Sequence, residues 1–328
     1  MKLLVTGATG AAGSYFIEWL QREQPAVEIV GTTRAAGTGW TVPNVLYVAV
    51  DLSLAHEDPL ASEMLRNVLQ GVDGVVNFAS WARVGESFDR PEDYLHNNIN
   101  LTINLLEAWR RLAPTACFLH VSTSEVYGAV SADAYPDGIP ETAPIAPISP
   151  YAASKVAQEM AAFAYWRSYK LPLVVARSFG YINSRRADLV ATAWAYQLAC
   201  IEAGRQEPTL RHGNLASVRT FCSIEDLCAA YWRLLIYGIP GNTYNVGSTA
   251  PVALRCLLAA LCGEARIPPI TMQPNQALVR PADIPYQVPN ADKIRSRLGW
   301  CTTDSSNLAT MAQLLMAEMR AKVAVEAK

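Results

Sequence analysis

The sequence predicts an α/β protein in which a doubly wound parallel sheet is followed by a smaller mixed C-terminal domain. In the first half, short apolar segments such as residues 3–6 alternate with segments of helical period such as residues 14–23. This alternation is typical of parallel strands joined by helices. A glycine-rich turn at residues 7–13 separates the first strand from the first helix. The 328 residues suffice for a large core and for up to two domains.

Composition excludes several classes of protein. Hydrophobic residues make up 51% of the chain and charged residues 17%, which indicates a compact globular protein. The net charge of −2 and the absence of a basic run argue against a nucleic-acid partner. No apolar run has the length of a membrane span, and the early first strand leaves no room for a signal peptide. The seven cysteines include no Cys-x-x-Cys and the four histidines are scattered, so we expect reduced thiols, a cytoplasmic protein and no metal site.

The turn Gly7-Ala8-Thr9-Gly10-Ala11-Ala12-Gly13 lies where a dinucleotide-binding loop is found, between a strand and a helix. In such a loop the first glycine makes the tight turn, the second allows the pyrophosphate to approach, and the third lets helix and strand pack closely. The free N–H groups at the start of the helix then bind the pyrophosphate. The sequence therefore predicts a Rossmann-type domain with Gly7, Thr9, Gly10, Ala12 and Gly13 at the cofactor.

The second strand, residues 27–32, is followed by Thr33 and Arg34. An NAD site usually places an acidic residue here against the ribose 2′-hydroxyl. Hydroxyl groups and a guanidinium suit a 2′-phosphate instead. We therefore predict NADP(H) as the cofactor; the alternative is a solvated arginine at a strand end.

Polar residues follow three further predicted strands. Strands are expected at residues 45–50, 74–78, 118–121 and 173–176, and helices at residues 57–69 and 93–111. Asp51 and Leu52 lie at the end of the first of these strands, Phe78, Ala79 and Ser80 at the end of the second, and Thr123, Ser124 and Glu125 just after the third. Ligands of such sheets bind at the carboxyl ends of the strands. We therefore expect one cleft to collect the residues at or near these ends: Gly7, Arg34, Asp51, Ala79, Thr123 and Arg177.

The stretch Ser149-Pro150-Tyr151-Ala152-Ala153-Ser154-Lys155 predicts the start of a helix. Ser149 is a suitable N-cap and Pro150 suits the first turn. Tyr151 and Lys155 are four residues apart and therefore share one helical face. A lysine ammonium favours the phenolate and turns the tyrosine into a candidate acid/base. The alternative is a tyrosine and a lysine that share a helix by chance.

Taken together, these motifs resemble the extended short-chain dehydrogenase/reductases that act on nucleotide sugars, over essentially the whole chain. The motifs are residues 6–13, Asp51-Leu52, residues 122–128 and Tyr151-x-x-x-Lys155. Within that family the second half is most similar to the branch of GDP-mannose 4,6-dehydratase and GDP-4-keto-6-deoxy-mannose reductase. The segments that carry this similarity are residues 201–208, 213–215, 219–221 and 280–285.

The resemblance implies a role for each matching residue. Thr123 would hydrogen-bond the sugar oxygen at C4, Tyr151 would exchange a proton there, and Lys155 would bind the nicotinamide ribose and lower the tyrosine pKa. Glu125 matches the C5 acid/base of the dehydratases. The cofactor would also contact Asp51, Leu52, Phe78, Ala79 and Ser80, and the substrate would contact Ser124, Arg185, Arg219 and Arg280. Arginine suits a diphosphate because its donors are arranged for bidentate binding.

One position departs from the family pattern. The family usually has Arg-x-Phe-Asn where this chain has Arg177-Ser178-Phe179-Gly180, so the asparagine that helps to hold the sugar phosphate is missing. Asn183 is the nearby candidate to replace it.

These patterns predict two domains and an enzyme. Residues 1–176, together with residues 221–246 returning to the sheet, would bind NADP(H), and residues 177–328 would bind the nucleotide sugar. The favoured activity is NADPH-dependent reduction of a GDP-4-keto-6-deoxy-hexose. The alternatives are a 4,6-dehydratase, less readily an epimerase or decarboxylase, and a dinucleotide-binding regulator without catalysis. The helix after Lys155 is apolar all round its axis, which predicts that it is buried on more than one side. We expect a homodimer built from it and the helix at residues 93–111; the alternative is a helix covered by the chain's own C-terminal domain.

Overall fold

The computed structural model describes residues 1–267 and 269–326. Its strands are β1 (Lys2–Thr6), β2 (Glu28–Thr33), β3 (Leu46–Ala49), β4 (Gly74–Asn77), β5 (Cys117–Thr123), β6 (Leu173–Ser178), β7 (Thr209–His212), β8 (Val218–Arg219), β9 (Asn242–Val246), β10 (Val252–Ala253) and β11 (Thr271–Pro274). Seven of them form one parallel sheet in the order β3-β2-β1-β4-β5-β6-β9. The sheet order reverses between β1 and β4, which confirms the predicted doubly wound α/β fold.

Ten α-helices accompany these strands in the described part of the chain. They are α1 (Ala11–Glu23), α2 (Pro59–Leu69), α3 (Val84–Asp89), α4 (Pro91–Leu112), α5 (Pro150–Tyr169), α6 (Val190–Glu202), α7 (Ile224–Tyr237), α8 (Leu254–Glu264), α9 (Asp292–Leu298) and α10 (Leu308–Glu326). One hydrophobic core lies between the sheet and α1 and α7, and a second lies between the sheet and α2, α4 and α5. The central sheet is therefore covered on both faces.

Two elements differ from the sequence prediction. α1 begins at Ala11, within the glycine-rich segment and three residues earlier than expected, because Gly10 serves as its N-cap. The expected helix at residues 93–111 is preceded by a separate short helix, α3, and α4 itself begins at Pro91. Proline is favoured in the first turn of a helix and disfavoured inside one, which explains the break.

The C-terminal part has its own core. Buried side chains of α6, α8 and α10 pack together, and two small sheets, β7 with β11 and β8 with β10, lie beside them. After β8 the chain returns to the main sheet, first through α7, which packs against β5 and β6, and then through β9, which pairs with β6. β6 itself runs through Ser178 and so crosses the predicted boundary at residue 176.

The helices and the potential metal ligands of the described residues bear on the class of protein. None of their helices combines the length and the apolar character that a bilayer crossing requires. Their His, Cys, Asp and Glu side chains form no group of three or more that could hold a metal ion.

Candidate active site

A cleft of about 1220 Å³ opens at the carboxyl ends of the sheet strands, between the sheet and the C-terminal part. Thirteen of the residues predicted for the site line it: Gly7, Gly10, Ala12, Gly13, Phe78, Ser80, Thr123, Ser124, Glu125, Tyr151, Lys155, Arg219 and Arg280. Parallel strands end at a common edge, so residues far apart in sequence meet in one site. The prediction for Arg177 is wrong: its side chain is buried, pairs with Glu159 at 2.7 Å and is not part of the cleft wall.

The glycine turn has the geometry that a diphosphate needs. Gly7 has φ +64°, and a Cβ at this residue would lie 2.9 Å from the amide nitrogen of Ala79. A Cβ at Gly13 would lie 2.4 Å from the carbonyl oxygen of Gly7. No side chain caps the start of α1, and its first residues line the cleft. The backbone N–H groups of this first turn are therefore available to an anion, which fits the pyrophosphate of a dinucleotide.

Six of the residues predicted to contact the cofactor are not part of the cleft wall. The Thr9 and Thr33 hydroxyls are 2.9 Å apart. Arg34 is exposed, and its guanidinium carbon lies 5.7 Å from the centroid of the Trp81 ring. Asp51 accepts hydrogen bonds from the backbone and hydroxyl of Ser53. Two other predicted residues are Leu52, which is buried in the core, and Ala79, which is half-buried beside the glycine turn.

The predicted acid/base pair lies at the start of α5, next to the end of β5. The Ser149 hydroxyl accepts a hydrogen bond from the backbone N–H of Ala152, as expected of an N-cap. Tyr151 and Lys155 are both buried and both line the cleft. The Lys155 ammonium group donates to the carbonyl oxygen of Val121 at 2.8 Å. β5 therefore fixes the lysine side chain, and Thr123 ends the same strand.

The electrostatics of this pair differ from the expectation that Lys155 acidifies the tyrosine. Burial raises the pKa of Tyr151 well above its usual range, and the largest opposing effect is the positive charge of Arg186. A hydrogen bond with Thr123 lowers the tyrosine pKa, and the negative charge of Glu125 raises it. Burial also lowers the pKa of Lys155 to about 7. Burial therefore favours the neutral form of both side chains when no cofactor is bound.

Two predicted substrate arginines are paired with carboxylates that also line the cleft. Arg280 lies 3.3 Å from a carboxylate oxygen of Glu125, and Arg219 lies 3.4 Å from one of Asp283. Asp283 also accepts hydrogen bonds from Asn214 and Ser217. The carboxylate predicted to serve as an acid/base is thus held by one of the arginines predicted to bind the diphosphate.

Two other predicted substrate residues lie elsewhere. Asn183 is 1% exposed, is not part of the cleft wall, and accepts a hydrogen bond from the backbone N–H of Arg185. Arg185 points to α1, where it donates to the Ser14 hydroxyl and the Glu18 carboxylate. Its neighbour Arg186 lines the cleft instead. Residues of a turn point in different directions, and their sequence does not reveal which of them enters a cleft.

Sequence reasoning missed Arg186 and Gln287, which both line the cleft. Arg186 makes two hydrogen bonds to the Asp188 carboxylate, at 2.7 and 2.6 Å, and one to the carbonyl oxygen of Ala82 at 3.2 Å. Its position one residue after Arg185 was the only signal in the sequence. Gln287 lies in a proline-rich segment without a periodic pattern, so nothing singled it out.

A covered parallel sheet with a glycine turn, and a Tyr-x-x-x-Lys pair beside it, define a Rossmann-type short-chain dehydrogenase/reductase. The chain belongs to the family described as GDP-mannose 4,6 dehydratase, whose model matches residues 4–311. The predicted resemblance to nucleotide-sugar enzymes is thereby confirmed.

Curated relatives include both reductases and dehydratases. The chain is 30% identical over 269 residues to GDP-6-deoxy-D-mannose reductase of Pseudomonas aeruginosa, covering 81% of each chain. It is 31% identical over 250 residues to dTDP-glucose 4,6-dehydratase of Mycolicibacterium smegmatis, covering 76% of this chain and 72% of the relative. A trifunctional UDP-glucose 4,6-dehydratase/UDP-4-keto-6-deoxy-D-glucose 3,5-epimerase/UDP-4-keto-L-rhamnose-reductase of Arabidopsis thaliana is 31% identical over 254 residues, 75% of this chain. The match spans only 37% of that longer protein.

Solved structures of the same family agree with the fold. RMD from Pseudomonas aeruginosa, complexed with NADPH, has a TM-score of 0.83 at 25% identity, covering 98% of this chain and 99% of that one. DesIV, a dTDP-glucose 4,6-dehydratase from Streptomyces venezuelae with NAD and TYD bound, has the same TM-score and identity and covers 98% of each chain.

Proposed function

We propose that the protein is an NADPH-dependent reductase of a GDP-4-keto-6-deoxy-hexose in deoxysugar synthesis. The observation that carries this proposal is the arrangement of Thr123, Tyr151 and Lys155 beside the glycine turn, with Glu125 tied to Arg280. A ketone reduction needs one proton donor at the carbonyl oxygen and no base at a neighbouring carbon. The relationship to GDP-6-deoxy-D-mannose reductase supports the GDP-linked substrate.

The raised pKa of Tyr151 fits the direction of this reaction. A phenol that keeps its proton at neutral pH is ready to donate it to the oxygen at C4 as that oxygen gains negative charge. Thr123 would orient this oxygen through its hydroxyl. NADPH, when bound at the glycine turn, supplies the hydride. Lys155, anchored on Val121, would hold the nicotinamide ribose.

The substrate diphosphate would bind at the C-terminal wall of the cleft. Arg219 and Arg280 line that wall, and Ser124 lies opposite at the end of β5. Guanidinium groups match the oxygens of a diphosphate in charge and in geometry. The diphosphate would replace Asp283 and Glu125 as the partner of these two arginines.

A 4,6-dehydratase is the second candidate. The run Thr123-Ser124-Glu125 matches the dehydratase pattern, and dTDP-glucose 4,6-dehydratases are among the relatives. A dehydratase must remove a proton at C5 and expel the C6 hydroxyl, for which Glu125 would be the acid/base.

Glu125→Gln separates these two functions. In a reductase no carbon acid is deprotonated, so we expect the rate of NADPH oxidation with a GDP-4-keto-6-deoxy-hexose to fall less than about threefold. In a dehydratase the conversion of GDP-mannose should fall on the order of a hundred- to ten-thousand-fold, because a general acid/base is lost. A steady-state assay of the purified variant measures the difference. Asp283→Asn is the matched control, since it neutralises the other carboxylate that pairs with a cleft arginine. A collapse of turnover in Glu125→Gln alone would favour the dehydratase.

We expect the preference for NADPH over NADH to depend on Arg34. We expect Arg34→Ala to weaken NADPH binding by about tenfold to a hundredfold and to leave NADH binding nearly unchanged, because a charge-assisted contact is worth roughly 1.5–3 kcal/mol. Fluorescence titration with both cofactors measures the ratio. Arg66→Ala, in the last turn of α2, is the control. An unchanged NADPH/NADH ratio in Arg34→Ala would contradict the assignment.

We also propose a homodimer built from α4 and α5. The two helices pack side by side, and each carries an exposed apolar residue on its outer surface: Ile103 is 41% and Met160 is 46% exposed. Light scattering at micromolar concentration should give twice the mass of the chain, and Met160→Glu should shift the species toward monomer. Met272→Glu, at a residue that is 40% exposed in β11, should not. A monomeric wild-type protein would remove this proposal.

Residues 1–176 and 221–246 are assigned to cofactor binding and residues 177–328 to substrate binding. The glycine turn in the first part and the paired arginines in the second support this division. A cytoplasmic location is proposed because all seven cysteines are free thiols.

A further inference from the structure

One wall of the cleft is built from two adjoining backbone segments. The N–H of Val218 donates to the carbonyl oxygen of Pro285 at 2.8 Å, and the N–H of Gln287 donates to that of Val218 at 2.9 Å. Tyr286 and Val288, on either side of Gln287, are buried in a hydrophobic cluster with Val218. Because side chains alternate along extended segments, Gln287 faces the other way, into the cleft that Arg219 also lines.

The side chain of Gln287 lacks a partner for its amide group. The residue is only 6% exposed, and its Nε2 atom is buried without a hydrogen-bond partner among the described residues. Buried polar groups in native proteins are almost always hydrogen-bonded, so an unpaired donor in a cleft wall points to a ligand as its partner. Leaving a buried donor without a hydrogen bond costs free energy. A ligand that accepts a hydrogen bond from the Nε2 atom of Gln287 would therefore bind more tightly.

The residues around Gln287 indicate what kind of ligand atom would accept its hydrogen bond. The guanidinium of Arg219, 14% exposed, lies on the same wall and favours an anion. Gly180, also in this wall, offers no side-chain donor: a Cβ there would lie 2.2 Å from the carbonyl oxygen of Thr220. Asn183, whose Nδ2 atom is also buried without a partner, is not part of the cleft wall. Asn214 does line the cleft, but its amide group already donates to Ser217 and Asp283. Among these amide groups, that of Gln287 is therefore the one that both lines the cleft and is left unpaired.

We propose that the side-chain amide of Gln287 donates a hydrogen bond to a diphosphate oxygen of the nucleotide sugar, beside Arg219. This inference rests on the proposed function, because it takes a nucleotide-diphosphate sugar as the ligand. It assigns a specific binding contact to a residue outside the acid/base set and outside the glycine turn.

Binding measurements on full-length protein saturated with NADPH test this inference. The probes are GDP and GDP-mannose, titrated by calorimetry into wild type, Gln287→Leu and Gln287→Glu. We expect Gln287→Leu to weaken both probes by about tenfold to a hundredfold, since a hydrogen bond to a charged group is lost. Gln287→Glu should weaken both further, because a carboxylate would face the diphosphate. The control is Gln273→Leu, at an exposed residue of β11, which should bind both probes as wild type does.

The outcomes are distinguishable. NADPH affinity reports whether each variant is folded, and it should not change in either Gln287 variant. Equal binding of GDP and GDP-mannose by wild type and Gln287→Leu would overturn this inference and leave the proposed function intact. A loss confined to GDP-mannose would assign Gln287 to the sugar and would also overturn it. If wild type binds neither probe, nor UDP or dTDP, while it binds NADPH, then the proposed function fails and this inference fails with it.

Discussion

Tyr151→Phe should lower kcat by roughly a hundred- to ten-thousand-fold, the usual contribution of a general acid. The phenol is buried in the cleft, and its pKa is raised by that burial, so it holds its proton until the substrate oxygen takes it. Phenylalanine keeps the ring and removes only the proton donor. We therefore expect nearly unchanged stability and unchanged NADPH binding, and a loss in the chemical step alone. The Lys155→Ala variant should also lose most of its activity, because it lacks the proposed contact between Lys155 and the nicotinamide ribose.

The control for Tyr151→Phe lies in the same helix. Tyr169 is 53% exposed in the last turn of α5, and Tyr169→Phe should behave as wild type. Steady-state and single-turnover assays with NADPH and a GDP-4-keto-6-deoxy-hexose measure both variants. A Tyr151→Phe protein within threefold of wild type would refute the role of this residue.

Lys155→Met should make the cofactor-free protein more stable at pH 7 by a few kcal/mol. Burial lowers the pKa of Lys155 from 10.5 to about 7, so folding disfavours the charged lysine. Between these two values the unfolded chain binds more protons than the folded one, and the free energy of unfolding therefore rises with pH. Each pKa unit corresponds to about 1.4 kcal/mol. Methionine fills a similar volume without a charge and removes this cost.

Chemical denaturation at pH 7 and pH 9 measures this linkage. The quantity to compare is the unfolding free energy of wild type minus that of Lys155→Met. This difference should increase by about 2 kcal/mol between pH 7 and pH 9. Taking the difference between the two proteins cancels the titration of the other groups. Lys322→Met, at an exposed residue of α10, should give no such change. A difference that is flat between pH 7 and pH 9 would show that Lys155 is not desolvated.

The sequence predicts best what depends on local chemistry. The glycine turn needs Gly7 because of its positive φ, and the start of α5 needs Ser149 as its cap, so both can be recognised from the order of the residues alone. The parallel sheet follows from the alternation of strands and helices, and the common cleft follows from the parallel sheet. Thr123, Tyr151 and Lys155 are brought together for this reason.

Tertiary packing decides what the sequence does not reveal. Arg185 and Arg186 are chemically identical neighbours, yet one is held by Ser14 and Glu18 and the other enters the cleft. The charge of Lys155 depends on how deeply α5 is buried, and helical spacing carries no information on that depth. Gln287 faces the cleft because its backbone pairs with Val218, a contact between residues far apart in sequence.

The central claim is that this cleft reduces a 4-keto sugar at the expense of NADPH. The most direct test is the absorbance of reduced nicotinamide during turnover with GDP-4-keto-6-deoxy-mannose and, separately, with GDP-mannose. A reductase consumes one NADPH for each 4-keto sugar, so the absorbance should fall in step with product and should stay constant, without product, when GDP-mannose is supplied. A dehydratase returns its hydride internally. Conversion of GDP-mannose at constant absorbance, with no oxidation of NADPH by the 4-keto sugar, would contradict the account.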